Sequence, residues 1–289
     1  MRNALFEAYK DACTRLENAG VENFVTDARL MSEAAYRTSL SRALGGLSQS
    51  FPVNARETLD KMLERRISGE PLQYILGSWD FMEYTFAVGQ GVLIPRSETE
   101  VLVEHVVSRL KSIRWPVVYD LCSGSGCIGL SIKKQLPDTR VFMVEKSTEA
   151  LIWLNENRRA LGLERSTVVI KGDIFMGKKL VDSLPAPDCI VSNPPYVERG
   201  ELTSLQREVG YEPEMALDGG DDGLDFYRCL TKSWFPLIKP GGFMALECGE
   251  NQPEKVKMMF PDNTDCEIFA DFCGVERFII GNKESTDDT

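Results

Sequence analysis

The stretch DLCSGSGCIG at residues 120–129 decides the fold class. A short apolar run, Val117 to Leu121, leads into this glycine-rich turn, and a helical pattern follows from Cys127 to Leu136. Glycines let a backbone approach a ligand closely, and the free N–H groups at a helix start attract anionic groups. A strand, a turn and a helix in this order predict a nucleotide-type site at the end of a buried parallel strand.

Strand and helix patterns continue to alternate after this turn. The predicted helices lie at 147–161, 223–237 and 253–259, and the predicted strands at 140–145, 167–171, 188–192, 242–248, 266–269 and 277–280. Such alternation favours an α/β class with a parallel, doubly wound, Rossmann-like sheet.

The residues before the sheet pattern differ in periodicity and in charge. Apolar side chains recur at helical spacing from Leu5 to Leu16, from Ala28 to Ala35 and from Ala55 to Ile67. The first 70 residues hold ten basic and ten acidic side chains, so the excess of acid lies beyond them. We expect a helical domain at 1–71, a β-hairpin linker at 72–95, a catalytic domain at 96–281 and a disordered tail at 282–289. Within the linker, the β-rich pieces lie at 74–77, 84–88 and 92–94.

Composition excludes several function classes. A net charge of −11 disfavours general binding to nucleic acid or to an anionic membrane. The single histidine, His105, argues against zinc sites and histidine-based catalysis, and we expect no metal. No apolar run reaches the roughly 18 residues of a membrane span, and the first residues do not resemble a signal peptide. The eight cysteines include no C-x-x-C pair, which favours reduced thiols in a cytoplasmic protein.

Acidic residues follow two of the predicted strands. Glu145 ends the strand after the glycine turn, where a carboxylate can accept hydrogen bonds from both hydroxyls of a ribose. Asp173 follows the next strand and can either accept an adenine amino group or cap a helix. Gly124, Gly126 and Gly129 also satisfy G-x-G-x-x-G, so a dinucleotide-dependent enzyme remains an alternative at this point.

The tetrad NPPY at residues 193–196 directly follows the strand predicted at 188–192. The carboxyl ends of parallel strands share one crevice, so we expect this tetrad to face the same cleft as the glycine turn. Its two prolines fix the backbone. The side-chain oxygen of Asn193 and the carbonyl of Pro194 can each accept one N–H of a planar amino group, and the ring of Tyr196 can pack on it. The alternative is a rigid turn that ends a strand.

Together these motifs resemble a known family. NPPY after the fourth strand, with a D-x-x-x-G-x-G loop after the first, is similar to S-adenosylmethionine-dependent amino-methyltransferases. EPLQYILG at 70–77, IPRSETE at 94–100, YEPEMAL at 211–217 and GVER at 274–277 narrow the resemblance to the PrmC/HemK family. That family methylates the glutamine side-chain nitrogen in the Gly-Gly-Gln motif of peptide chain release factors, and the resemblance covers nearly the whole chain.

The resemblance implies S-adenosylmethionine as cofactor, with S-adenosylhomocysteine as product. The implied cofactor contacts are Asp120, Cys122, Ser123, Gly124, Ser125, Gly126, Glu145, Asp173, Ile174 and Asn193. Asn193, Pro194 and Tyr196 are the implied catalytic residues, and Pro195 joins them in holding the substrate amide. We expect a cytoplasmic monomer whose helical domain recognises release factors, with no direct contact to nucleic acid or membrane.

Two positions depart from the family pattern, and several alternatives stay open. Cys122 stands where the family usually has glycine, and Ile174 stands where a larger aromatic residue is frequent. Cys122 either restricts the φ angle of the loop or fits there at negative φ. The alternatives are glutamine methylation of a ribosomal protein, N6-adenine methylation of nucleic acid, a non-catalytic docking protein and an NAD-dependent oxidoreductase. Methyl transfer needs no general base, so we expect His105 to be non-catalytic.

Overall fold

The structure is a computed structural model that describes residues 4–44 and 51–285. The chain forms two compact units. The helical unit comprises Met1–Gly77 and Arg207–Tyr211, and the sheet unit comprises Ser78–Gln206 and Glu212–Thr289. The division after Gly77 differs from the expected boundary at residue 71. In the described part of the chain, no helix has the length and apolar character needed to cross a membrane.

Apolar periodicity builds the helical unit, as predicted. Its helices are α1 (Ala4–Asn18), α2 (Phe24–Tyr36), α3 (Leu40–Leu44), α4 (Ala55–Ile67) and α5 (Leu72–Leu76). Their inward faces bury Leu5, Leu16, Met31, Leu59 and Leu63 completely. Removing such side chains from water is the main stabilising contribution to a small helical core.

A buried ion pair connects parts of the helical unit that are distant in sequence. Arg66 Nε donates to Asp27 Oδ2 at 2.7 Å, and Arg66 Nη2 lies 2.6 Å from Glu208 Oε1. The hydroxyl of Tyr211 donates to the carbonyl of Ser68 at 3.0 Å. These contacts explain why Arg207–Tyr211 belongs to the helical unit although the chain on both sides of it belongs to the sheet unit.

The segment around the hairpin differs in part from the prediction. Residues Leu72–Leu76 form helix α5 and not a β-rich piece, and Gly77 at φ 78° ends that helix. Periodicity cannot distinguish helix from strand in so short an apolar run. The predicted hairpin is present as β1 (Ser78–Phe81) paired antiparallel with β2 (Tyr84–Ala87), whereas 92–94 forms no strand.

The sheet unit contains one large, mostly parallel sheet. In the described residues its strands are β3 (Val117–Leu121), β4 (Arg140–Glu145), β5 (Thr167–Lys171), β6 (Cys189–Ser192), β7 (Phe243–Glu247), β8 (Asp265–Ala270) and β9 (Glu276–Asn282). The strand order is β5-β4-β3-β6-β7-β9-β8, and only β9 runs antiparallel to both of its neighbours. The predicted doubly wound α/β fold is therefore confirmed.

Helices cover both faces of this sheet. They are α6 (Glu98–Leu110), α7 (Cys127–Gln135), α8 (Thr148–Ala160), α9 (Asp225–Cys229) and α10 (Pro253–Lys257). Alternate residues of each central strand enter opposite cores, as Val118 and Tyr119 do. Burial on both faces explains why these strands read as continuous apolar runs.

Two predicted segments in the second half of the chain need correction. The helix predicted at 223–237 is interrupted, because α9 gives way to a π turn at Leu230–Trp234 and a 3-10 turn at Phe235–Leu237. Pro236 cannot donate a backbone hydrogen bond and thereby disfavours a continuous α-helix. The tail predicted to be disordered from 282 begins inside β9, where Asn282 pairs with Phe243, and residues 286–289 lie outside the described part.

Candidate active site

A cleft opens at the carboxyl ends of the central parallel strands. It encloses about 960 Å³ between protein atoms, including space open to solvent. The predicted site residues on its wall are Cys122, Ser123, Gly124, Ser125, Glu145, Asp173, Ile174, Asn193 and Pro195. Four predicted site residues do not line the cleft. Three of them, Gly126, Pro194 and Tyr196, are chain neighbours of lining residues, and the carbonyl of the fourth, Asp120, accepts a hydrogen bond from the lining residue Ser123.

Asp120 lies beneath the glycine-rich loop and is completely buried. Its Oδ2 accepts a hydrogen bond from the Gly129 N–H at 3.0 Å. A Cβ at position 129 would lie only 2.8 Å from that oxygen, so glycine there leaves room for the carboxylate. Burial raises the pKa of Asp120 to about 7, and the nearby charge of Glu145 adds to the shift, against the opposing effect of the Gly129 N–H. The structure thus gives Asp120 a place in supporting the loop.

The loop itself uses left-handed backbone conformations. Gly124 has φ 53° and Gly126 has φ 82°, as glycine permits. Cys122 also adopts a left-handed conformation, with φ 59°. Of the two possibilities considered from the sequence, the fit at negative φ is therefore wrong. A residue with a Cβ pays about 1–2 kcal/mol for this conformation. Burial also raises the pKa of the Cys122 thiol well above its usual range, which keeps the thiol neutral.

Glu145 joins two segments at the end of β4. Its Oε2 accepts from the Gly124 N–H at 2.8 Å, and its Oε1 accepts from the Ser147 N–H at 2.7 Å. Burial raises the pKa of Glu145 even though these backbone donors favour the ionised form. A carboxylate has about four lone-pair sites, so Glu145 keeps the capacity to accept a further hydrogen bond from a ligand in the cleft.

Asp173 has the capping role, one of the two roles considered for it from the sequence. It caps the 3-10 turn that follows β5, because its Oδ1 accepts from the Phe175 N–H at 3.0 Å. Its Oδ2 lies 2.8 Å from Nζ of Lys146, which also lines the cleft. Burial by itself would raise the pKa of Asp173, but the hydrogen bonds from Lys146 and Phe175 have the larger combined effect. The pKa of Asp173 is therefore lowered from its usual value. Ile174 beside it is buried and provides an apolar wall.

Asn193 lines the cleft, and its side chain has an unpaired acceptor oxygen. Its Nδ2 donates to Thr99 Oγ1 at 3.2 Å, whereas its Oδ1 is buried and has no hydrogen-bond partner within the protein. Leaving a buried polar atom unpaired costs about 1–3 kcal/mol, and such atoms in native proteins call for an explanation such as a ligand.

Sequence reasoning missed the hydrogen bonds that support this asparagine. The Thr99 hydroxyl donates to Glu247 Oε2 at 2.6 Å, and both side chains are buried. Burial raises the pKa of Glu247 to about 7. Thr99 lies within the quoted IPRSETE stretch, and Glu247 ends strand β7 just as Glu145 ends β4. An acidic residue at the end of an apolar strand was therefore a signal in the sequence that could have identified Glu247.

The backbone after Asn193 is held by another residue that the sequence did not indicate. Gln252 Nε2 donates to the Tyr196 carbonyl at 2.9 Å, and its Oε1 accepts from the Gly249 N–H at 2.9 Å. Burial raises the pKa of Tyr196 to about 12, so its hydroxyl stays protonated. Gln252 thereby ties the NPPY tetrad to the turn that follows β7.

Glu212 fixes one rim of the cleft. Its Oε2 accepts from the Ile94 N–H at 2.9 Å, and its Oε1 pairs with the Arg96 guanidinium. The Glu212 carboxylate is almost completely buried. The quoted stretches IPRSETE and YEPEMAL therefore meet here, and both contribute residues to the cleft wall.

The remaining candidates for chemistry lie outside the cleft. The ring of His105 packs at a tilt against Phe269, with ring centroids 4.2 Å apart, and burial lowers the pKa of His105 with help from Arg109. Within residues 4–44 and 51–285, no group of three or more histidine, cysteine or acidic side chains is placed to hold a metal ion. The cleft therefore offers hydrogen-bond acceptors, a glycine loop and apolar walls for binding and orienting a ligand.

Comparison with known proteins matches both parts of the chain. A family model described as the PrmC N-terminal domain matches residues 7–77, and one described as the methyltransferase small domain matches residues 97–210. The chain is 40% identical to the release factor glutamine methyltransferase of Thermodesulfovibrio yellowstonii, over 79% of this chain and 82% of that protein. It is 39% identical to the enzyme of the same name from Geobacter sulfurreducens, over 92% of each chain.

A solved structure shares the fold at lower identity. It is the T. thermophilus 16S rRNA N2 G1207 methyltransferase RsmC in complex with AdoMet and guanosine, with a TM-score of 0.51 and 18% identity. The match covers 72% of this chain and 50% of that chain. At this identity the likeness concerns the fold alone.

Proposed function

Since this chain belongs to the release factor glutamine methyltransferase family, we propose that it methylates the glutamine side-chain nitrogen in the Gly-Gly-Gln motif of peptide chain release factors. S-adenosylmethionine is the proposed methyl donor. The observation that carries the proposal is the buried, unpaired Oδ1 of Asn193 beside the cleft. An acceptor in that position suits an amide N–H of the substrate.

The cleft residues fit the proposed cofactor. Glu145 keeps lone pairs that can accept from the ribose hydroxyls. The space beside the Gly124 backbone is open, because a Cβ built there would meet no atom closer than 3.9 Å, and a ligand can approach that backbone. Asp173 and Ile174 combine a polar edge with an apolar wall, which suits an adenine ring. When bound, S-adenosylmethionine supplies a methyl group that its sulfonium charge has already activated.

The residues of the chain then have the task of orienting the substrate nitrogen. Asn193 Oδ1 accepts one amide N–H, and the Pro194 carbonyl is the proposed acceptor of the other. Both acceptors stabilise the positive charge that grows on nitrogen during attack. Holding the reacting groups in place can contribute about 7–11 kcal/mol to the rate. The nitrogen becomes acidic after attack and loses its proton to water, so no histidine is needed.

We assign recognition of the release factor to the helical unit. Every residue that lines the cleft belongs to the sheet unit, so the helical unit is free for another role. It exposes the apolar side chains of Val25 and Val53. Replacing both with serine should raise KM for the intact release factor and leave KM for a short Gly-Gly-Gln peptide unchanged. Equal changes for both substrates would contradict this assignment. We further propose that the protein acts in the cytoplasm as a monomer, without direct contact to nucleic acid or membrane.

Mass spectrometry of a release factor after incubation with this protein and S-adenosylmethionine tests the main proposal. We expect one added methyl group, located by fragmentation on the glutamine of Gly-Gly-Gln, and none on a factor with alanine at that position. Ribosomal protein and RNA serve as competing substrates in the same assay. Preferential methylation of either one, or a melting temperature raised by NADH but not by S-adenosylhomocysteine, would contradict the proposal.

A further inference from the structure

A chain of hydrogen bonds runs from the cleft to a buried carboxylate. The Asn193 amide donates to Thr99 Oγ1 at 3.2 Å, and the Thr99 hydroxyl donates to Glu247 Oε2 at 2.6 Å. A threonine hydroxyl has only one hydrogen. Because Glu247 takes that hydrogen, Thr99 can only accept from Asn193. The amide must therefore turn its NH₂ group toward Thr99, which leaves its oxygen on the side away from Thr99 and without a partner in the protein.

We propose that Thr99 and Glu247 are positioning residues that set the orientation of the Asn193 amide, and that a proton on Glu247 reverses this orientation. A proton taken from water onto Glu247 Oε2 makes that oxygen a donor to Thr99. The Thr99 hydroxyl then donates to Asn193 Oδ1, and the amide turns its NH₂ group toward the cleft. An NH₂ group cannot accept the N–H of the substrate. The inference rests on the proposed function, because it concerns the acceptor for the substrate amide.

The surroundings of Glu247 set its proton affinity near neutrality. Burial raises the pKa of Glu247 to about 7, and the hydrogen bond from Thr99 acts in the opposite direction. The titratable and charged groups that face Glu247 come from several elements. Those groups are Glu98, which disfavours the ionised form, the cations Arg96 and Arg277, and the neutral Tyr196, Tyr227, Cys127 and Cys248. Small changes of pH near 7 should therefore change the fraction of molecules with the productive amide orientation.

Thr99→Val and Thr99→Ser form the matched pair of variants for the test. Valine keeps the shape of threonine without its hydroxyl, and serine keeps the hydroxyl. We expect kcat at pH 8 to fall more than roughly tenfold in Thr99→Val and to recover largely in Thr99→Ser, with cofactor affinity similar in both. In the wild type, kcat should rise with pH through about 7, as burial of Glu247 implies. Thr99→Val and Glu247→Gln should lose this rise.

A spectroscopic readout is independent of turnover. Selective ¹⁵N labelling of asparagine, with Asn193→Asp used for assignment, reports the side-chain NH₂ signals of Asn193 in the full-length protein. These signals should move with pH near 7 in the wild type and stay constant in Glu247→Gln. This measurement decides the question even if Thr99→Val fails to fold, because it needs only the wild type and the Glu247 variant.

The outcomes separate this inference from the proposed function. If Asn193→Ala loses activity while Thr99→Val keeps the rate and pH profile of the wild type, the positioning role is wrong and the proposed function stands. If Asn193→Ala also keeps the wild-type rate, the proposed function of the tetrad fails. Asn193 signals that do not respond to pH between 5 and 9, a range about two units either side of the Glu247 pKa, would overturn the switch.

Discussion

Glu145 accepts a hydrogen bond from the backbone N–H of Gly124 at 2.8 Å, so the carboxylate at the end of β4 also holds the loop that follows β3. The residue proposed to bind the ribose is thus built into the shape of the cleft. Loss of its carboxylate should affect both the ligand and the loop.

Glu145→Ala should weaken S-adenosylmethionine binding by roughly 1.5–3 kcal/mol, because charge-assisted hydrogen bonds are lost. Its melting temperature should fall too, since the N–H groups of Gly124 and Ser147 lose their acceptor. Calorimetric titration and thermal unfolding measure the two effects. Glu149→Ala is the matched control, since that exposed carboxylate does not line the cleft. Unchanged affinity in Glu145→Ala would remove Glu145 from the cofactor site.

Asn193→Ala should lower kcat by about 10²–10³, the usual effect of losing one preorganised hydrogen-bonding group. Asn193→Asp keeps an acceptor but places a negative charge near the positive cofactor. We expect it to keep or improve cofactor binding and still lose turnover more than roughly tenfold. Single-turnover methylation at saturating cofactor, with Asn155→Ala as control outside the cleft, measures these rates. Folded Asn193 variants with the wild-type rate would mean that the tetrad is only a turn.

Cys122→Gly should be more stable than Cys122→Ala by about 1 kcal/mol. Both changes remove the thiol, but only glycine relieves the left-handed backbone at φ 59°. At a position with ordinary φ, alanine would be the more stable of the two, because glycine has the greater entropy in the unfolded chain. Urea unfolding of the two variants gives the difference. A more stable alanine variant would show that the backbone at this position carries no strain.

Stability should decrease as the pH rises from about 4.5 to about 7. Burial raises the pKa of both Asp120 and Glu247 to about 7 in the folded protein, whereas the unfolded chain releases these protons near pH 4. Between these values the folded state holds more protons, so the free energy of unfolding falls by up to about 1.4 kcal/mol per pH unit for each group. Urea unfolding at several pH values measures the slope. Glu247→Gln should have a shallower slope than the wild type, and an equal slope would contradict this account.

Arg66→Met should destabilise the helical unit by about 3–5 kcal/mol, because it leaves the carboxylate of Asp27 buried and unpaired. Glu208→Gln should cost less than about 1 kcal/mol, since the Glu208 side chain is 47% exposed and water can replace the lost partner. Urea unfolding compares the two variants. Equal effects would show that burial does not decide the value of this ion pair.

The sequence predicted the parts of the molecule that depend on local patterns. Apolar runs and helical spacing predicted the order of strands and helices, and residues at or just after strand ends predicted part of the cleft wall. The hydrogen bond between Thr99 and Glu247 could not be predicted in this way. It joins residues 148 positions apart, and no periodicity records such a contact.

The failures have physical causes that are specific to each segment. Leu72–Leu76 is too short for its period to distinguish helix from strand, and Pro236 interrupts what its neighbours present as one helix. The φ angle of Cys122 depends on the loop around it, so residue type alone left two conformations open.

The position of β9 affects how the sheet unit can be completed during synthesis. This strand enters between β7 and β8, both of which precede it in the chain, and it buries Phe278, Ile279 and Ile280 completely. A growing polypeptide that has not yet reached Glu276 therefore carries β7 as an open edge with unpaired backbone groups. Such an edge invites pairing with other chains. Production of this protein should consequently be sensitive to stalled or truncated synthesis within its last strand, even though the cleft residues have by then all been made.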